Sequence, residues 1–399
     1  MKTLIELYDE RAIENVLAPE IFRPEHIVFL CPPEVIADRN RQQKLTEFFL
    51  HRGLVCGISY LECSLYKADK ILHQLQNIAH KHPDCVIDIT GGTDAALFAA
   101  GMMCQKTGVP AITYSRKKNA FYNISGAAFA DEKPCLLQYT VEDFFLMAGG
   151  TLRKGRVDNR ILGKYKDTYR PFFRIFMENR RSWPDFVVYM QKASYAVKGE
   201  DIPLHVSSAL TIKGERSTRV TANIPMMRAF ERLGYLKNLS MTGDSISFDF
   251  ADTQIRTWLR DAGSVLELYI YQICRDLGIF RDVVSSAIVD WDGTVDHDSV
   301  SNELDVVATR GVVPLFISCK TCEIKTEALN ELAILKDRFG GKGAKAAIVT
   351  TENCNAAARH RAAQLGIAVI DLEELEHGDV AQRIRVIMKM EEMIPIPEN

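Results

Sequence analysis

The 399-residue chain lacks any apolar run long enough to cross a bilayer, and no signal peptide is expected at its start. A membrane span is therefore not expected. A strong charge of either sign is missing too. Lys and Arg number 49 against 52 Asp and Glu, leaving a formal net charge of −3, so attraction to nucleic acid must be local rather than global. The sequence contains neither the GxxxxGK[ST] phosphate loop nor the GxGxxG dinucleotide loop. It shows no internal repeat and no long disordered linker; only the tail, Ile394 to Asn399, is expected to fray. What remains is the composition of an ordinary globular protein, 47% hydrophobic and 25% charged, of a length that suggests two or three domains. Cysteine is not scarce. The ten thiols sit mostly inside apolar stretches (Cys31, Cys56, Cys85, Cys104, Cys274), the pattern of free thiols in a reducing cytoplasm. Cys319-Lys320-Thr321-Cys322 matches CxxC, but no second such pair or nearby His pair completes the four ligands zinc requires.

The most informative stretch reads as two neighbouring strands joined by a tight turn at Arg310-Gly311. The first, Asn302 to Val307, carries Asp305 within an apolar run. The second, Phe316 to Thr321, carries Lys320 in a similar setting. Burying a charge costs several kcal/mol, on the order of 3–5, unless it is paired or holds a metal. Metal-dependent phosphodiester cleavage needs such a carboxylate for a divalent cation and such an ammonium for the phosphate or attacking water. An ordinary cross-strand ion pair needs them equally. Glu267 bears on the choice: it is the single charge between Asp261 and Arg275, in a helical run (Ala262 to Cys274) apolar on nearly every face. A helix at about Thr326 to Phe339, a strand Ala346 to Thr350, a helix Asn353 to Leu365 and a strand Ile367 to Leu372 follow.

Residues 1 to about 148 alternate strand and helix. Strands are expected at Thr3 to Leu7, His26 to Cys31, Leu54 to Ile58, Cys85 to Thr90 and Ala111 to Tyr114. Helices are expected at Asp38 to His51, Lys67 to His80 and Thr93 to Lys106. That spacing predicts an α/β, doubly wound parallel sheet, whose ligands bind beyond the carboxyl ends of the strands. The fourth strand runs into Thr90-Gly91-Gly92-Thr93-Asp94 and a helix of small residues. Paired glycines admit close backbone approach, and a helix N-terminus attracts phosphate, although such a turn serves tight packing about as often. The loop Tyr8-Asp9-Glu10-Arg11 leaves the same edge, and Arg116, Lys117 and Lys118 after the fifth strand offer positive charge.

The middle segment opens on a basic run: Arg153, Lys154, Arg156, Arg160, Lys164, Lys166, Arg170, Arg174, Arg180 and Arg181, opposed by Asp158, Asp167 and Glu178. Interleaved Tyr165, Tyr169, Phe172, Phe173 and Phe176 form either a stacking surface for single strands or a helical core stripe. A helix from Met226 to Leu233 then precedes a hairpin closed at Thr242-Gly243-Asp244, an order that resembles a winged helix.

With these residues in view, the C-terminal third resembles PD-(D/E)xK nucleases of restriction-endonuclease-like fold. Glu267 lies on the first helix, Asp305 at the aspartate position and Lys320 at the lysine. Ser318 stands where the family has its second acid; Ser318 and Lys320 share a strand face. The resemblance implies Mn2+ or Mg2+ held by Glu267 and Asp305, with the Cys319 carbonyl, Glu303, or Glu327 of the following helix in place of the missing acid. The strand–TGGT–helix unit resembles CRISPR-associated Rossmann-fold (CARF) sensor domains, although Asp94 stands where many relatives carry lysine. The whole chain resembles ancillary nucleases that join one CARF domain to one nuclease domain. That implies a CARF domain at residues 1–148, a winged-helix-like connector at 149–252 and a nuclease domain at 253–399. It implies further a cytoplasmic homodimer, activated by cyclic tetra-adenylate bound at Tyr8, Asp9, Thr90, Gly91, Gly92, Thr93, Asp94, Arg116 and Lys117. Its output would be cleavage of single-stranded DNA or RNA, or nicking of duplex DNA, in type III CRISPR defence. Two other readings stay open: a catalytically inactive cyclic-oligoadenylate sensor, and a ligand-responsive winged-helix regulator that binds duplex DNA.

Overall fold

The computed structural model describes residues 1–153, 159, 161–195, 202–213, 219–291 and 301–389. Of the basic run, Lys154, Arg156 and Arg160, with the opposing Asp158, lie outside the described residues, as does the tail Ile394 to Asn399.

The N-terminal part is a seven-stranded sheet in the order β3-β2-β1-β4-β5-β6-β7. Its strands are β1 (Thr3–Leu7), β2 (His26–Cys31), β3 (Gly57–Glu62), β4 (Cys85–Asp88), β5 (Ala111–Ser115), β6 (Ala120–Ser125) and β7 (Lys133–Pro134). The first five are parallel. Helices α1 (Leu17–Phe22), α2 (Pro33–Ala37), α3 (Arg39–His51), α4 (Ala68–Lys81), α5 (Asp94–Thr107) and α6 (Val141–Met147) cover it. One face buries Ile71, Leu75, Ala96 and Met103 of α4 and α5; the other buries Leu17, Leu45, Phe48 and Phe144 of α1, α3 and α6. Apolar strands buried on both faces are what a parallel sheet requires. The strand expected at Leu54 to Ile58 forms further on, as β3. Gly53 (φ +68) instead closes α3: the N–H groups of Gly53 and Leu54 donate to the carbonyls of Leu50 (3.0 Å) and Phe49 (2.8 Å). That Schellman closure consumes Leu54 as a cap. The antiparallel β6 and β7 were not foreseen.

The middle segment contributes β8 (Thr151–Arg153), α7 (Tyr169–Glu178), α8 (Trp183–Ala193), β9 (His205–Ala209), the ribbon β10 (Thr211–Lys213) and β11 (Arg219–Thr221), α9 (Ile224–Arg232), and the hairpin β12 (Leu236–Thr242) and β13 (Ser245–Phe250). The helix-then-hairpin order is present, and β9 adds a third strand beside β13. Tyr165, Tyr169, Phe172, Phe173 and Phe176 are all buried, so they form the core stripe and present no stacking surface. Phe173 stacks on Tyr269 at 3.7 Å, and Tyr165 meets Trp258 edge-on at 4.6 Å.

The C-terminal part contains α10 (Thr253–Leu259), α11 (Ser264–Asp276), β14 (Asp282–Asp290), β15 (Ser301–Arg310), β16 (Val313–Lys320), α12 (Thr326–Gly340), β17 (Lys345–Thr350), α13 (Ala356–Gln364), β18 (Ala368–Ile370), α14 (Leu372–His377) and α15 (Val380–Ile387). Its sheet runs β18-β17-β16-β15-β14-β8. Helices α11 and α15 bury one face; α12, α13 and part of α6 bury the other.

The boundaries expected at 148/149 and 252/253 do not coincide with gaps in packing. Strand β8 pairs with β14, and Leu236, Ile246, Phe248 and Phe250 of the hairpin share one core with Leu266 and Ile270 of α11. Helix α6 straddles the N-terminal and C-terminal sheets, with Phe145 meeting Phe339 of α12 edge-on at 5.0 Å. The Tyr139 N–H donates to the Gly311 carbonyl (3.0 Å) and the Thr309 hydroxyl to the Tyr139 carbonyl (2.7 Å). The 3-10 turn Ala12–Asn15 lies on the 3-10 turn Gly341–Gly343 that ends α12, so tightly that a Cβ on Gly341 would sit 2.9 Å from Ile13 Cγ2.

Candidate functional site

Strands β15 and β16 pair from Arg310↔Val313 to Val306↔Ile317, and the ladder then stops. At the fork that opens, Asp305 takes up the main chain of β16: the Cys319 N–H donates to Asp305 Oδ2 at 2.6 Å and the Ser318 hydroxyl to the same oxygen at 3.2 Å. Lys320 Nζ lies 3.7 Å from that oxygen. The Cys319 N–H and C=O share one strand edge, the Asp305 side, because the neighbouring Lys320 carbonyl points the other way and accepts from the Thr351 N–H (3.1 Å). Asp305, Ser318, Lys320 and Glu303 line a cleft of about 360 Å³ closed by α12, where Glu331 and Leu332 face them.

Glu267 comes from α11 on the other side of the fork. Burial, reinforced by the charges of Asp305, Asp261 and Glu303, pushes its carboxyl up to about 8, while a hydrogen bond from the Ser286 hydroxyl (3.3 Å) acts against that rise. Burial also raises Asp305, opposed by Lys320, the Cys319 N–H and Ser318. The structure therefore brings Glu267, Glu303, Asp305, Ser318, Cys319 and Lys320 together. It gathers several carboxylates and a carbonyl, a donor set that fits a hard divalent cation in kind. Among the described residues, no three His, Cys, Asp or Glu side chains form a ready-made metal cluster.

In the N-terminal sheet the switch point is where β1 lies between β2 and β4, so the loops after β1 and β4 leave side by side. Asp9 ties them: its Oδ1 accepts from the Arg11 N–H (2.9 Å) and its Oδ2 from the Gly92 N–H (3.3 Å). The glycines are required by packing. A Cβ on Gly91 would lie 2.9 Å from Asp9 Cβ, and Gly92 adopts φ +94 with Leu7 Cβ 2.8 Å from where its own would be. Both threonine hydroxyls have partners within the protein. Thr90 donates to Asp88 (2.5 Å) and accepts from the Tyr114 N–H (2.9 Å); Thr93 donates to the Leu65 carbonyl and caps α5. Asp94 is the first residue of α5. Tyr8 lies buried under Arg41, whose guanidinium sits 5.4 Å above its ring. Arg116 forms an ion pair with the buried Glu14 and packs against Gly343, so its charge is already matched; Lys117 is exposed in the β5–β6 turn.

Sequence reasoning missed several groups. Ser286 bonds Glu267 and Asn159 bonds the main chain of Ser285, and their signal was faint: a Ser-Ser pair inside the apolar strand Val283 to Val289, and a lone Asn. Asp88 and Glu6 are paired across β4 and β1, both fully buried. Burial pushes Asp88 up to about 7 and, with Asp88 beside it, lifts Glu6 well above the usual carboxylate range. Each is a single acid in an apolar strand, the same signal that picked out Asp305.

The chain thus joins a doubly wound N-terminal sheet, an embedded hairpin segment and a forked C-terminal sheet. Residues 255–389 match the Card1-like endonuclease domain family. Two solved structures share the fold over nearly the whole length. Protein VC1899 from Vibrio cholerae aligns with a TM-score of 0.72 and 16% identity, covering 97% of this chain and 98% of that one. Can2 from Sulfobacillus thermosulfidooxidans, solved in complex with cyclic tetra-adenylate, aligns with a TM-score of 0.69 and 17% identity, covering 97% and 99%. By sequence alone, no curated protein matches the chain.

Proposed function

We propose that the protein is a cyclic tetra-adenylate-activated, metal-dependent endonuclease of type III CRISPR defence, working as a cytoplasmic homodimer. It would cleave single-stranded DNA or RNA, or nick duplex DNA. The observation that carries this reading is the convergence of Glu267, Asp305 and Lys320 at the fork of a Card1-like endonuclease domain. The complex of Can2 with cyclic tetra-adenylate supports the choice of activator.

Glu267 and Asp305 would hold Mn2+ or Mg2+, with the Cys319 carbonyl on the same edge and Glu303 nearby. Such a cation supplies Lewis-acid activation of phosphate and water when bound. Lys320 holds a positive charge beside Asp305 and stabilises negative charge developing on the phosphate. Ser318 donates to Asp305 and so orients it in the place of an acid. At the other site, the backbone of Thr90 to Thr93, with Tyr8, Asp9, Asp94, Arg116 and Lys117 at its rim, would receive the activator ring. A two-fold ring is matched by two copies of this edge across a dimer.

The test incubates purified protein with Mn2+, cyclic tetra-adenylate and labelled single- and double-stranded DNA and RNA, alongside Asp305→Ala and Lys320→Ala. The expected result is cleavage that needs both additions and disappears in both variants. Ligand binding without cleavage of any substrate would instead make the protein an inactive sensor. Sequence-specific duplex binding without cleavage would make it a regulator.

A further inference from the structure

Strand β14 is broken in its middle by a residue that has no steric reason to be there. Ser286 adopts φ +51 although it is not glycine, is 2% exposed, and lies inside an otherwise regular strand. Left-handed backbone at a buried serine is unfavourable and persists only where the surroundings hold it. The β14–β15 register passes from Ser285↔Val306 to Ala287↔Leu304 and skips the pair Ser286 and Asp305. Side chains replace the missing ladder there. The Ser285 hydroxyl donates to the Asp305 carbonyl (3.3 Å), and the Ser286 hydroxyl donates to Glu267 Oε2 (3.3 Å). On the far edge, β8 pairs with β14 at Ile288, Val289 and Asp290. Asn159 covers the next stretch with its carboxamide, accepting from the Ser285 N–H (2.8 Å) and donating to the Ser285 carbonyl (3.0 Å).

We infer that Ser286 is a positioning residue for the cation-binding acids, and that Asn159 holds the kink that aims it. This rests on the nuclease reading above. The kink performs two tasks: it interrupts β14–β15 pairing opposite Asp305, whose carbonyl is taken by the Ser285 hydroxyl instead, and it turns a donor toward Glu267. Supporting partners of metal-binding side chains typically contribute about 10- to 100-fold in metal affinity or activity.

Ser286→Gly tests this with little risk to folding, because glycine adopts φ +51 without strain. Titration calorimetry with Mn2+, melting temperature, and kcat and KM on a labelled single strand are measured together. The expected result is about a 10-fold or larger loss of Mn2+ affinity and of kcat, with melting temperature and KM for nucleic acid unchanged or improved. Asn159→Ala is expected to move Mn2+ affinity and kcat in the same direction. Wild-type Mn2+ affinity and kcat in Ser286→Gly, beside a wild type that cleaves, would overturn the positioning role alone. A wild type that neither binds Mn2+ nor cleaves would overturn the nuclease reading and this inference with it.

Discussion

Glu267 sits where a carboxylate is costly, and that cost has a sign that experiment can read. Between the usual value of 4.5 and about 8, the unfolded chain has released this proton while the folded chain retains it. The unfolded state then binds fewer protons than the native one, so stability falls as pH rises through that window. Asp88, at about 7, and Glu6 add slopes of the same sign. Glu267→Gln is therefore expected to melt higher than wild type at pH 8 without divalent cations, by about 2–4 °C per kcal/mol relieved, and to lose cleavage. A variant melting at or below wild type at pH 8 would show that the carboxyl does not carry this cost. Ser318→Glu has the opposite balance. It sets a second acid beside Asp305 Oδ2, so the metal-free protein should melt lower, the rise on adding Mn2+ should be larger, and cleavage should persist. Loss of cleavage with an unchanged Mn2+ response would mean that Ser318 does not occupy the acid position. At this scale Asp305, Lys320 and Glu267 were legible because a charge inside an apolar run needs an explanation. Ser286 was not, because its role comes from a backbone angle that no residue pattern encodes.

Elements with a strong period were legible and those defined by an edge were not. The amphipathic α4 and α12 and the buried strands β1, β2, β15 and β16 stand within a few residues of their expected places, since burial on one or both faces fixes their pattern. Strands β7 at the sheet margin and β8 across a nominal boundary are only two and three residues long, and with the antiparallel β6 they take their state from their neighbours. The Thr90-to-Thr93 turn falls between these cases. Its glycines were recognised, but their partner, the loop after β1, became visible only once β1 and β4 were side by side. Gly91→Val should displace Asp9, whose Cβ lies 2.9 Å from the new Cβ, and so abolish cyclic tetra-adenylate binding. Gly101→Ala, on the helix α5 that follows the turn and with nothing within 4 Å, should bind as wild type does. Calorimetry decides: wild-type affinity in Gly91→Val would put the sensor pocket elsewhere.

At the scale of the whole molecule, the question is how a ligand at the sensor edge reaches a cleft in another sheet. With pocket and motif far apart in sequence, the hairpin segment between them is the expected carrier. The packing favours a shorter route. The hairpin is built into the nuclease core, whereas the loop that follows β1 rests directly on the end of α12, and the other half of α12 walls the cleft through Ala328, Glu331 and Leu332. Arg11 lies 4.0 Å from Asp337 of α12, and Ile13 fills the space above Gly341. A ligand that repositions Tyr8 to Arg11 must therefore shift this contact, and it can drive cleavage only through unequal affinity for the two positions of α12. Gly341→Val separates the surfaces, because its Cβ would meet Ile13 and its φ of +65 disfavours a branched side chain. Ile13→Ala loosens the same contact without strain on the backbone. Both are expected to bind cyclic tetra-adenylate within about threefold of wild type while losing about tenfold or more of the ligand-dependent increase in cleavage, a loss of ~1.4 kcal/mol in coupling. Intact ligand binding reports that the sensor has folded. If both variants keep full ligand dependence, α12 is not the carrier, and coupling runs through the dimer or the hairpin segment.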